Sequence, residues 1–352
     1  MSVRNTVKSI QDIMRQDSGV DGDAQRISQL CWMFFLKIID DQDQQLELMQ
    51  DGYKSPIPEE LRWQTWAADP EGITGDELLT FINTQLFPQL KELTVTAKNG
   101  ERRRVVRDVF EDAYNYMKSG QLLRQVINKI NEVDFNNLSE RQHFGDIYEQ
   151  ILNDLQSAGN AGEYYTPRAV TAFMVDRIDP RPGETLLDPA CGTGGFLTCA
   201  IRHMRERYVK RVEDEQNMQA ALRGVEKKQL PHMLCVTNML LNGIESPGFV
   251  LHDNTLARPY ISYTQAERVD IVLTLALAPG LERMHEVMQR IGATARRVDM
   301  QINDPKLVVV VKEFDFIEQI VGHRHIDFAG EADHGRFGVQ LDGNGHRGPR
   351  HP

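Results

Sequence analysis

The chain has 352 residues, with 51 acidic against 40 basic side chains, a formal net charge of −11, 41% hydrophobic and 26% charged residues. That balance excludes a disordered chain, a collagen-like fibre and a small disulfide scaffold, and the length predicts two or three domains with ample core. The acidity argues against bulk coating of DNA but leaves room for a local basic groove.

The densest apolar run is Leu30 to Leu36, far short of the roughly 18 residues that span a bilayer. The amino terminus lacks the apolar core of a signal peptide. Cys31, Cys191, Cys199 and Cys235 form neither a Cys-x-x-Cys pair nor a disulfide rhythm, which fits a reducing compartment. A cytoplasmic chain without membrane segment or metal site is expected.

Residues 1–135 read as a helical domain. Ile27, Leu30, Cys31, Phe34, Phe35, Ile38 and Ile39 recur at helical spacing, followed by a polar, acidic stretch from Asp40 to Glu47. Pro56-Ile57-Pro58 and Asp69 to Gly72 punctuate turns. Lys98, Arg102, Arg103, Arg104 and Arg107 then cluster. They fit a solvated face beside a turn at Asn99-Gly100, or a set of phosphate contacts.

From Phe144 the text changes. Phe144, Ile147, Tyr148, Ile151 and Leu152 form a helical stripe that ends in the small-residue loop Ser157 to Gly162. Glu163-Tyr164-Tyr165-Thr166-Pro167-Arg168 opens a helix over Ala169 to Ile178, with Pro near its first turn. Thr185 to Asp188 reads as a strand, as do Gly248 to Leu251 and Val269 to Leu273, and a helix is predicted from Phe196. Strands alternating with helices predict a doubly wound, Rossmann-like α/β sheet over 136–274.

Between strand and helix lies Asp188-Pro189-Ala190-Cys191-Gly192-Thr193-Gly194-Gly195. Glycines let a backbone turn tightly and approach a ligand, and a helix start offers unpaired N–H groups. The third glycine of a dinucleotide fingerprint is absent. Cys191 reads as a small packed residue.

Here the sequence resembles a known family. DPACGTGGFL at 188–197 looks like the S-adenosylmethionine loop of adenine-specific DNA methyltransferases, and more narrowly of the modification (M) subunits of type I restriction–modification systems. GEYYTPR at 162–168 is similar to the segment beside the cofactor's methionine end, and the helical first half resembles the amino-terminal domain of those subunits. The resemblance implies that Glu163, Tyr164, Tyr165, Thr166, Pro167 and Arg168 line the cofactor, and that Asp188, Thr193, Gly194 and Gly195 hold its amino-acid part, the last three through backbone N–H groups. It gives the ribose hydroxyls to Glu226 and the adenine edge to Asp253. Plain readings stay open: a solvated helix charge for Glu226, a turn residue for Asp253, core aromatics for Tyr164 and Tyr165. Transfer of methyl to adenine in DNA is the implied reaction, with DNA, a specificity subunit and a restriction subunit as implied partners.

The pattern breaks at one place. The family presents a flipped adenine to an Asn/Asp-Pro-Pro-Phe/Tyr turn, where this chain reads Leu275-Ala276-Leu277-Ala278. Those four can neither accept from an amino group nor stack on a base. A non-catalytic cofactor-binding or assembly protein of the same lineage is the alternative reading. Residues 275–352 diverge in composition and are expected to be poorly ordered, with a helix at Leu281 to Ile291, a strand at Leu307 to Val311, and His323, His325 and His334 scattered rather than ligating. The sheet is expected to be left with an open edge.

Overall fold

The helical period of the first 130 residues folds them around one apolar core. The computed structural model describes residues 3–95, 100–137, 166, 168–257, 267–277, 295–298 and 307–312, with isolated positions 141, 144, 145, 148, 259 and 264. Helix α1 (Val3–Met14) packs on α7 (Gly120–Ile130). The long α2 (Asp23–Met49) buries the whole predicted stripe from Ile27 to Ile39. Phe34 meets Phe144 edge-on at 4.6 Å between ring centroids, and Trp32 meets Phe87 at 5.0 Å, geometry that adds to simple burial. Short α3 (Trp63–Trp66) follows, then α4 (Gly75–Phe81), which continues through a wide π-turn at Ile82–Leu86 into α5 (Phe87–Lys91). Pro88 has no N–H for the carbonyl four residues back, and the widened turn precedes it.

Asp40, Asp41 and Asp43 of the acidic stretch after Ile39 are buried. Asp40 accepts from Arg62 Nε at 2.8 Å and the Gln64 N–H at 2.9 Å. Asp43, fully buried, accepts from the Tyr53 hydroxyl at 2.7 Å, the Ser55 hydroxyl at 2.6 Å and Arg102 Nη2 at 2.7 Å. Buried carboxylates persist because each finds such donors.

Helix α6 (Gly100–Phe110) carries the arginine cluster, and neither sequence reading describes it. Besides pairing with Asp43, Arg102 donates through Nη1 to the Glu245 carbonyl. Arg103 donates to the Thr94 carbonyl at 3.1 Å, and Arg104 to the Gly248 carbonyl. Arg102 and Arg104 thus clamp the helical region onto the α/β region, because carbonyls leaving a loop need donors as much as phosphates do. Arg107 pairs with neighbouring Asp108, and Lys98 lies outside the described residues.

The α/β region starts with α8 (Arg168–Ile178) and strand β1 (Leu186–Asp188), then α9 (Gly195–Arg207), α10 (Val212–Ala221), β2 (Leu222–Glu226), α11 (Gln229–Leu241), β3 (Val250–His252) and β4 (Ile271–Val272). The four strands are parallel in the order β3–β2–β1–β4, with Leu186 opposite both Leu222 and Ile271. Helix α11 buries every residue from Pro231 to Leu241 and packs against α2, α6, β2 and β3, which explains why most of them are apolar. Among the described residues β4 pairs only with β1. Among them, too, no helix is long and apolar enough to cross a membrane.

Three short strands are described from Thr274 onward, one of them over the stretch Leu307 to Val311 that the sequence predicts as a strand. Strands β5 (Thr274–Leu277), β6 (Ala295–Val298) and β7 (Leu307–Lys312) form an antiparallel sheet in the order β5–β7–β6. Four consecutive valines, Val308 to Val311, give β7 its strand preference. The predicted helix at 281–291, residues 313–352 with their histidines, and the loop at 157–162 lie outside the described residues.

Candidate functional site

Loops leaving the C-terminal ends of parallel strands converge on one edge of the sheet. The loop after β1, Glu226 at the end of β2 and Asp253 after β3 meet there. The Cys191 N–H donates to the Val225 carbonyl at 2.9 Å, and the Asp253 N–H to the Glu226 carbonyl at 3.1 Å.

Two glycines make the loop turn. Gly192 and Gly194 have φ of 54° and 84°, in the left-handed region, and Gly194 caps α9. A Cβ at Gly194 would also sit 2.9 Å from Cys235 Sγ, so both conformation and space demand glycine there. The Gly194 N–H, a ligand donor in the sequence reading, is instead engaged with the Cys191 carbonyl at 2.8 Å. It closes the turn. Thr193 is buried, and its carbonyl accepts from Asn238 Nδ2 at 3.1 Å. Gly195 opens α9, and its carbonyl accepts from Arg168 Nη1 at 2.9 Å; the same nitrogen donates to Thr198 Oγ1 at 3.0 Å. Arg168 therefore braces the helix start.

Two carboxylates face the loop. Asp188 is 1% exposed and accepts the Ala190 N–H at 3.2 Å. Burial, with the nearby Glu226 charge, pushes its carboxyl up to about 8. A carboxyl so sparsely solvated gains most from a cation. Glu226, half-buried, accepts the Gly192 N–H on Oε2 at 2.9 Å and the Lys228 N–H on Oε1 at 2.7 Å. Each oxygen keeps a lone pair for a hydroxyl. Asp253 is exposed, with Oδ1 accepting the Asn254 N–H at 2.7 Å.

Cys191 is buried with its sulfur 3.8 Å from that of Cys235. The hydrogen bond with Cys235 and burial raise its thiol well above the ordinary range, so it packs rather than reacts. Thr166 is half-buried, while Glu163, Tyr164, Tyr165, Pro167 and Ala278 lie outside the described residues. Leu275, Ala276 and Leu277 run as strand β5.

Sequence reading missed two supports of the loop. Thr255 donates its hydroxyl to the Pro189 carbonyl at 2.7 Å, and Asn238 holds Thr193 from the middle of apolar α11. An asparagine inside a mostly apolar helix was the available signal.

Two family models match: HsdM N-terminal domain over residues 3–130 and N-6 DNA Methylase over residues 139–276. The type I restriction enzyme EcoEI methylase subunit of Escherichia coli is 61% identical over 274 residues, covering 78% of this chain and 56% of that protein. A type I restriction-enzyme modification subunit from Vibrio vulnificus YJ016 superposes with a TM-score of 0.69 at 34% identity, over 84% of this chain and 68% of that one. A chain from a structure on complex assembly of the type I R-M system gives 0.68 at 33% identity, over 77% and 54%. The chain spans about half the length of the curated relatives it matches.

Proposed function

The chain belongs to the methylase-subunit family of type I restriction enzymes, and on that premise we propose that it carries the S-adenosylmethionine-binding part of a DNA N6-adenine methyltransferase. One observation carries the proposal: the glycine loop, buried Asp188 and the half-buried Glu226 converge at the C-terminal edge of the parallel sheet.

The residues fit the cofactor on their own chemistry. Asp188 would take the ammonium of the amino-acid part, a cation that offsets its burial. Glu226 would accept from the ribose diol through its spare lone pairs, and Asp253 would stand at the adenine. Glu163, Tyr164, Tyr165, Thr166, Pro167 and Arg168 complete the proposed lining, with Arg168 acting through the start of α9. When bound, S-adenosylmethionine supplies an electrophilic methyl group. The amino group of adenine needs an acceptor and a stacking ring, and Leu275, Ala276, Leu277 and Ala278 offer neither. The chain as written therefore binds the cofactor and does not complete transfer. Its partners in the proposal are DNA, a specificity subunit and a restriction subunit; the similar chain from a study of type I R-M complex assembly supports an assembled state.

The test is calorimetric titration of the full chain with S-adenosylmethionine, beside a methyl-transfer assay on adenine-containing duplex DNA. Saturable binding without transfer is expected. Absence of binding overturns the site, and transfer overturns the assignment of Leu275 to Ala278.

A further inference from the structure

Asn238 is fully buried in the middle of α11, where every neighbour from Met233 to Leu241 is buried and most are apolar. A carboxamide there is expensive unless all of it is used. Its partners fix its orientation. Asn242 Nδ2 lies 2.9 Å from the Asn238 carbonyl, which can only accept, so the Asn242 amino group faces Asn238. The same nitrogen is 3.0 Å from Asn238 Oδ1, which makes that atom the acceptor and turns the Asn238 amino group toward the Thr193 carbonyl at 3.1 Å. Beyond, the Asn242 carbonyl accepts from Arg205 Nη1, and Arg205 pairs with Glu215 at 2.5 Å.

This chain of bonds ends on the peptide that matters for the loop. The unit joining Thr193 to Gly194 is held at both ends: its oxygen by Asn238, its N–H by the Cys191 carbonyl at 2.8 Å. The plane of that peptide cannot rotate without breaking one bond or the other. Gly194 follows at φ 84° and ψ 26°, a conformation in which glycine alone imposes no preference of its own. The direction in which the first amides of α9 point is thus set from outside the loop. A second brace, Arg168 on the Gly195 carbonyl, acts on the next residue.

We infer that Asn238 is a positioning residue, a strut from α11 that fixes the Thr193–Gly194 peptide of the glycine loop and with it the direction of the amides that open α9. Its effect on cofactor affinity rests on the proposed S-adenosylmethionine site. Its effect on the loop does not. Leucine at the same position has the same branched skeleton with bulkier ends and keeps α11 apolar, but offers nothing to Thr193.

Hydrogen exchange on the full chain without cofactor is the primary experiment, comparing wild type with Asn238→Leu and Asn238→Gln. The expected result is at least tenfold faster exchange of the amides of 192–196 in Asn238→Leu, with those of 233–241 unchanged. Titration with S-adenosylmethionine should then show at least tenfold weaker binding, partly recovered in Asn238→Gln, which retains the donor. Unchanged loop exchange overturns the inference, and so does faster exchange spread equally through α11, the mark of a residue that merely fills the core. If wild type fails to bind S-adenosylmethionine, the functional proposal falls, and the exchange data still decide the strut.

Discussion

Gly192 donates its backbone N–H to Glu226 Oε2 at 2.9 Å, tying the loop after β1 to the end of β2. The acidic residue expected to meet a ribose therefore also shapes the loop beside it. Each role uses different lone pairs of the same carboxylate, whose other oxygen takes the Lys228 N–H.

Glu226→Ala removes both roles and should weaken S-adenosylmethionine binding by about 1–3 kcal/mol, the usual loss for hydrogen bonds to a charged group. Glu226→Gln keeps one good acceptor and should lose less. Isothermal titration of the three proteins measures this, and equal affinities would remove Glu226 from the site.

Asp188 ties function to instability. The folded chain holds its proton up to about pH 8, the unfolded chain only to about 3.9. Between those values the folded state binds more protons, so this group's contribution to stability is greatest below the window and declines as pH rises through 8. Asp188→Asn should raise the cofactor-free melting temperature at pH 9, by on the order of 1–3 kcal/mol of stability, and change it little at pH 4. The same variant should bind S-adenosylmethionine more weakly, because a neutral amide cannot match an ammonium. Melting curves at both pH values check it; a difference independent of pH would show that Asp188 is solvated and ionised.

What the sequence made legible was local. The stripe from Ile27 to Ile39 declares a helix by its period, and Gly192 with Gly194 declares a turn that other residues resist. Strand β2 was hidden because Arg223 and Gly224 interrupt its apolar pattern, leaving Leu222 and Gly224 inward and Arg223 outward. The carbonyl partners of Arg102 and Arg104 lie 143 and 144 residues away, and no spacing rule reaches that far. Asn238 was legible only as an oddity in α11, since its partner Thr193 is distant in sequence. Helical period and loop chemistry are written in neighbours, whereas clamps and struts are written in the fold.

The arginines of α6 offer a direct contrast. Arg102 pairs with fully buried Asp43, and its loss would leave that carboxylate with two neutral hydroxyl donors. Arg102→Ala should destabilise the chain by about 3 kcal/mol. Arg107→Ala, on a half-exposed pair with adjacent Asp108, should cost less than about 1 kcal/mol. Urea unfolding of both variants, with a DNA-binding titration alongside, separates the roles. Unchanged unfolding of Arg102→Ala with weakened DNA binding would restore the phosphate reading of the cluster.

His232 should make the chain acid-sensitive. The ring is 1% exposed, stacks on His252 with centroids 5.0 Å apart, and lies 3.3 Å from the Val250 carbonyl. Burial is the main cause that depresses its pKa to about 4, and the neighbouring His252 adds to it. In the unfolded chain the ring titrates near about 6.5. Above that value both states are neutral and the stability is intact; as pH falls toward 4 the unfolded state takes up a proton that the folded core refuses. His232→Phe keeps a ring against His252 but cannot titrate. It should be less stable than wild type at pH 7.5, by about 1 kcal/mol for the lost hydrogen bond, yet its stability should decline less steeply between pH 6.5 and 4.5. The difference in slope should approach one proton, about 1.4 kcal/mol per pH unit. Urea unfolding at pH 7.5, 6.5, 5.5 and 4.5 gives both slopes directly, and parallel declines would move the acid sensitivity to other groups.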